Sequence, residues 1–185
     1  MKYTLEEFKT QIKASTLKVG DKLVTEDIAG KAIFEVAEIR KKTIIMVRKY
    51  CLPTDYDKTH DEIKDFLNNE YLDTISQELI DIMGKRKGSR IFIPWFKEVF
   101  GDIKDCSWAD KSKGKQWKIF KTTKGKIRLD SNKHGFARWY WLASPTVSNS
   151  TYFCIVDTSG APDSNAASNS SGVLPCFKIN REAVS

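Results

Sequence analysis

Between Lys111 and Leu129 the sequence carries Lys111, Lys113, Lys115, Lys118, Lys121, Lys124, Lys126 and Arg128, and not one acidic residue. The chemistry open to such a run is neutralisation of phosphates, for which ammonium groups serve as point charges. Trp117 and Phe120 are interleaved with these cations and would offer flat faces to bases. On this reading Lys113, Lys115, Lys118, Lys121, Lys124, Lys126 and Arg128 form a surface for nucleic acid or another anionic polymer. The same composition also describes a flexible, solvated loop or hairpin, spanning 104–135, whose like charges hold other chains off. Lysine outnumbers arginine seven to one in the run, so bidentate reading of base edges is not expected.

A second segment, 146–171, is small and polar in character, and residues 157–172 are built almost wholly from Ser, Asn, Asp, Ala, Gly, Thr and Pro. Serine, asparagine, aspartate and tyrosine are the adaptable hydrogen-bonding types that binding loops use on rigid scaffolds. The candidate ligand contacts are Tyr152, Asp157, Ser159, Asp163, Ser164, Asn165, Asn169 and Ser171, with Tyr152 as the aromatic anchor. The bland alternative is a set of ordinary loops between closing strands. Upstream, Trp139, Tyr140 and Trp141 could stack on sugars. In a strand of period two, however, Trp139 and Trp141 share a face and Tyr140 takes the other, and one face should supply the core.

Catalysis has little footing. No G-x-S-x-G, H-E-x-x-H or glycine-rich phosphate loop is present. His60 and His134 are the only histidines, which excludes a multi-histidine metal site, and His134, between Lys133 and Gly135, reads as a solvated loop residue. The cysteines, Cys51, Cys106, Cys154 and Cys176, show no C-x-x-C spacing and read as small buried hydrophobes carrying free thiols. Asn149-Ser150-Thr151 and Asn169-Ser170-Ser171 match glycosylation acceptors, which count only in an exported protein.

The elements that must position these groups are those of one domain over 1–185. Hydrophobic residues make up 41% and charged residues 30%, enough to bury a core. The net charge is +7, and the basic run alone exceeds it. No apolar run approaches the roughly 18 residues of a membrane span, and the N-terminus lacks the apolar core of a signal peptide. The expectation is therefore a protein made in the cytoplasm.

Thr4 and Glu7 have capping-box spacing, with Leu5, Phe8 and Ile12 on one face of a helix ending near Ser15. Strands are expected over 22–25, 32–39 and 43–48. The principal helix is expected over 61–83, interrupted near Asn68-Asn69 or Asp73-Thr74 and capped by Gly84. A short strand at 91–93 precedes Pro94, placed at the first position of a helix over 95–100. Further strands are expected over 136–142, 152–156 and 173–179, the last with Pro175 at an edge or bulge.

Trp141-Leu142-Ala143-Ser144-Pro145, a small-polar stretch, and Gly172-Val173-Leu174-Pro175 together resemble a bacterial and phage family of unknown function. That family typically ends in W-L-R-S-P, a variable segment, and G-V-R-P. Val19-Gly20-Asp21, Leu67-Asn68-Asn69-Glu70-Tyr71 and Ile91-Phe92-Ile93-Pro94 extend the likeness over nearly the whole chain. The resemblance implies an α+β fold of C-type-lectin-like (formylglycine-generating-enzyme-like) type, with two main helices around small, mostly antiparallel sheets. It further implies a non-enzymatic ligand-binding protein, phage- or prophage-encoded, virion-associated, and of the kind diversified by retroelements, with a protein or glycan as its ligand. The family's two arginines are Ala143 and Leu174 here, so no role carries over to those positions. Formylglycine enzymes of this fold use paired cysteines, which raises a Cys154–Cys176 pairing as a third reading beside reduced thiols. Lectin-like loops often hold calcium through oxygen ligands, and Asp157 and Asp163 are the carboxylates this segment offers. No other cofactor is expected.

Overall fold

The Thr4 hydroxyl accepts a hydrogen bond from the Glu7 amide at 3.4 Å, and the Glu7 carboxylate accepts one from the Thr4 amide at 2.8 Å. Two donors orphaned at a helix start are thereby satisfied reciprocally. The computed structural model in which this capping box is seen describes residues 1–132 and 135–184, so the reading of His134 falls outside the described residues. After β1 (Lys2–Tyr3), helix α1 (Leu5–Ala14) buries Phe8 and Ile12 and ends at Ser15, as its sequence predicts. Strands β2 (Lys22–Asp27), β3 (Gly30–Ile39) and β4 (Thr43–Arg48) follow as an antiparallel meander, with β1 added parallel to β2.

The periodic run expected as one principal helix over 61–83 forms two single-turn pieces, α2 (Ile63–Asn68) and α3 (Gln77–Ile82), with 3₁₀ turns at His60–Glu62 and Leu72–Thr74. Side-chain competition with the backbone explains the break. The Asn68 amide donates to the Lys64 and Ile91 carbonyls, and its own oxygen accepts from the Arg90 amide at 2.9 Å. Gly84 is not a helix cap; it lies in β5 (Met83–Gly84), and β6 (Ile91–Phe92) follows.

Helix α4 (Phe96–Phe100) starts after Trp95, so Pro94 stands outside it. Helix α5 (Thr123–Lys126) leads into β7 (Arg128–Leu129), which pairs with β8 (Ala137–Arg138). Strands β9 (Tyr140–Pro145), β10 (Tyr152–Val156) and β11 (Pro162–Ala166) form an antiparallel sheet with β10 at its centre. The strand expected over 136–142 is therefore split at Trp139, and the expected alternation fails. Trp139 is 44% exposed, while Tyr140 and Trp141 are both buried. The cause is local: the Trp139 carbonyl accepts from the Gly172 amide, and the chain changes sheets there.

The last strand, β12 (Cys176–Asn180), pairs antiparallel with β4, β5 and β6 and completes a mixed sheet ordered β1-β2-β3-β4-β12-β5. Val173 and Pro175 precede it. Few short helices and several small sheets, one of them mixed, make the chain α+β. It packs as two compact units, Met1–Lys49 with Lys64–Phe92 and Pro175–Ser185, and Tyr50–Ile63 with Ile93–Leu174.

The first unit encloses a polar cluster at the ends of β2 and β4. Arg48 donates to Asp27 from Nε at 2.7 Å and from Nη2 at 3.3 Å, and the Tyr71 hydroxyl donates to the same carboxylate at 2.7 Å. All three side chains are buried. Among the described residues no helix is long and apolar enough to cross a membrane.

Candidate functional site

The segment Trp141-Leu142-Ala143-Ser144-Pro145 is pinned along its length in the second unit. Trp141 Nε1 donates to the Lys58 carbonyl at 2.9 Å, and the Ala143 amide donates to the Pro94 carbonyl. The Ser144 hydroxyl accepts from the Phe96 amide at 3.0 Å, at the start of α4. Gly172 is required beside it, because a Cβ there would meet the Trp139 carbonyl oxygen at 2.4 Å. Tryptophan, serine and glycine here are scaffold, as their burial and hydrogen bonds require.

His60 closes the packing from the other side. Its ring stacks on Phe153 with centroids 3.4 Å apart, meets Trp141 edge-on, and holds Nε2 3.2 Å from the Leu142 carbonyl. Burial pushes its pKa down to about 4, although the Leu142 carbonyl pulls the other way. A histidine near 6.5 when unfolded and near 4 when folded stabilises the protein in full above about pH 6.5. That stabilisation falls as the pH drops and is exhausted below about pH 4, a loss of at most about 3 kcal/mol. Denaturant titrations between pH 7 and pH 4 are expected to show this slope, and His60→Gln to flatten it. A His60 resonance titrating near 6.5 would refute the reading.

Where β8 meets the stretch before β12, a cleft of about 370 Å³ opens, lined by Asp57, Arg138, Trp139, Asn165, Ser171 and Gly172 among others. Arg138 is its charged centre. Its Nη2 donates to Asp57, and its Nη1 lies 3.4 Å from the buried Asp130 carboxylate. Burial pushes the Asp57 carboxyl above its ordinary range, against the pull of the guanidinium beside it. Two carboxylates on one guanidinium hold its plane fixed toward the cleft. The exposed Trp139 indole stands next to it.

The structure distributes the sequence-predicted ligand residues unevenly. Asn165 and Ser171 line this cleft. Asn169 donates from its side chain to Asn165 at 2.7 Å. Asp157 and Ser159 instead build the β10–β11 turn: Asp157 accepts from the Ser159 amide and hydroxyl and from the Ala161 amide. Burial works against the Asp157 carboxylate, yet these bonds hold it below its ordinary range. Asp163 and Ser164 lie on β11, and Tyr152 is 41% exposed at the start of β10. Asp57 and Arg138 escaped sequence reading, whereas Trp139 is one of the three aromatics that the sequence offers for stacking on sugars. The one available signal was a tryptophan next to the position where Gly172 must pack.

The basic run holds corrections of its own. Trp117 and Phe120 are buried and stack on each other at 5.7 Å, so neither offers a face to a base. Arg128 is buried over the Phe120 ring, and Lys126 is half-buried over Phe100. All four cysteines are buried free thiols. Burial, with Asp110 nearby, pushes Cys154 up to about 12, which makes it a poor nucleophile. Among the described residues no three His, Cys, Asp or Glu side chains gather as a metal-binding set.

No curated protein and no solved structure gives a significant match to the chain. A family match does exist and runs over residues 39–181, from the end of β3 to the residue after β12, so that it takes in the whole Arg138 cleft. By that match the chain belongs to DUF6273, a domain of unknown function.

Proposed function

We propose that the chain is a non-enzymatic binding protein whose ligand enters the Arg138 cleft, and that the ligand presents a hydroxyl-bearing ring such as a sugar. The observation that carries this reading is Trp139. It is a large aromatic left 44% exposed between two regions of core, beside an ion pair and polar side chains. An aromatic face with planar carboxylate, guanidinium and amide groups suits a ring that stacks on one side and exchanges hydrogen bonds at its edge. The resemblance to lectin-like, phage-encoded binding proteins supports a rigid scaffold carrying this surface. It also supports diversification within 146–171, which a reverse-transcriptase gene beside a near-copy of that coding segment would reveal. Calcium is not needed for this mode of binding.

The test is a glycan array probed with the wild-type protein and with Trp139→Ala and Trp139→Phe. At least one glycan class is expected to bind. Trp139→Ala should weaken it about tenfold or more, with thermal stability largely kept, since the residue is 44% exposed. Trp139→Phe should retain part of the affinity. Binding that is indifferent to Trp139→Ala, or no glycan bound at all, would overturn the proposal.

A further inference from the structure

Part of the basic run is helical, within an otherwise irregular stretch. Lys118–Lys121 form a 3₁₀ turn, followed at once by α5. In a 3₁₀ turn residues three apart lie above one another, about 6 Å along the axis. One such ridge, Trp117 and Phe120, is buried. Lys118 and Lys121, on the adjacent ridge, are exposed; the backbone is extended at Thr122, and Lys124 is exposed on α5, which starts a new helical turn. The ridge is built firmly. The Trp117 amide donates to the Glu98 carbonyl at 2.8 Å, and the Gln116 side chain donates to the Val99 and Phe120 carbonyls. Gly125 lets α5 close onto the turn, since a Cβ there would fall 1.9 Å from the Ile119 carbonyl oxygen. Lys113 and Lys115 lead up to it, both exposed.

From this geometry we infer that Lys113, Lys115, Lys118, Lys121 and Lys124 form a docking ridge for the phosphate backbone of nucleic acid, read without regard to sequence. Lys118 and Lys121, about 6 Å apart along the turn, suit neighbouring phosphates, and the exposed Lys113, Lys115 and Lys124 beside them add further point charges. The aromatics that would stack on unpaired bases are turned into the core, so the ridge fits duplex as well as single strands. It carries no exposed large apolar side chain to insert among lipids, which separates it from a membrane-surface helix.

The experiment is fluorescence anisotropy with labelled 24-base-pair duplexes of two unrelated sequences and the matching single strands. The wild-type protein is expected to bind all of them within about threefold of one another. Five phosphate contacts should cost about 500-fold in affinity between 50 and 200 mM salt. The triple variant Lys118→Glu, Lys121→Glu, Lys124→Glu should lose binding at 50 mM salt. The triple variant Lys41→Glu, Lys64→Glu, Lys85→Glu changes the net charge equally at exposed positions of the other unit and should keep it within about threefold. Equal loss in both variants would make the effect one of net charge and overturn the ridge. So would no wild-type binding at 50 mM salt, or binding to anionic phospholipid vesicles in place of nucleic acid.

Discussion

Trp141→Ala is expected to lower stability by roughly 3–5 kcal/mol, the cost of emptying a large aromatic site in a closed core. Trp141 is fully buried, packs edge-on to His60, and donates to the Lys58 carbonyl, which also accepts from the Ser171 amide. Truncation therefore opens a cavity and removes one of the two hydrogen bonds to that carbonyl. For a chain of this size the thermal midpoint should fall by about 10 °C. Trp141→Phe keeps much of the volume and loses the hydrogen bond, so it should cost less than half as much. A midpoint unchanged in Trp141→Ala would show that β9 does not carry the core of this unit.

The second large effect is expected at Asp27. Asp27→Asn would leave the Arg48 guanidinium buried without its counter-charge, and breaking such a pair from one side costs about 3–5 kcal/mol. Tyr71→Phe removes only one hydrogen bond to a charged group and should cost about 1.5–3 kcal/mol. The triple replacement Asp27→Leu, Arg48→Met and Tyr71→Phe should recover most of the loss, because well-packed apolar groups can stand in for a buried polar cluster once no member is left unpaired. Denaturant midpoints of the four proteins decide the matter. If Asp27→Asn and Tyr71→Phe cost the same, Arg48 keeps a sufficient partner without the carboxylate charge.

Local signals were legible and long-range ones were not. Thr4, Glu7 and Ser15 delimit α1 through bonds within a few residues, and the unbroken apolar, mostly β-branched run Ile44–Val47 marks β4 without its partners. The residues that pair over distance left no trace in spacing. Asp27, Arg48 and Tyr71 are ordinary in their own segments and meet only in the fold. Arg138 and Asp57 stand 81 positions apart. The strand β11 is polar because its pairing with β10 is carried by the backbone along one edge, so its side chains need no strand character. Lys118 and Lys121 were visible as charge; the buried ridge that orients them was not, since Trp117 and Phe120 can serve a core or a base equally well in sequence. Asn68 shows the same limit from the other side: its position predicts a break in the helix, but not that its amide would hold Ile91 and Arg90.

The placement of β12 sets the order in which the protein can be completed during synthesis. Strand β4 leaves the ribosome with one edge paired to β3 and the other open, and its Ile44, Ile45, Met46 and Val47 are all core residues. The strand that covers that edge, Cys176–Asn180, is made after every other strand of its sheet. At about 5–20 residues per second the edge stays open for roughly 7–26 s. During that interval both segments of the second unit, Tyr50–Ile63 and Ile93–Leu174, emerge. A nascent chain stalled in this window would present an apolar, unpaired edge, which makes it a substrate for chaperones and a template for pairing with another copy.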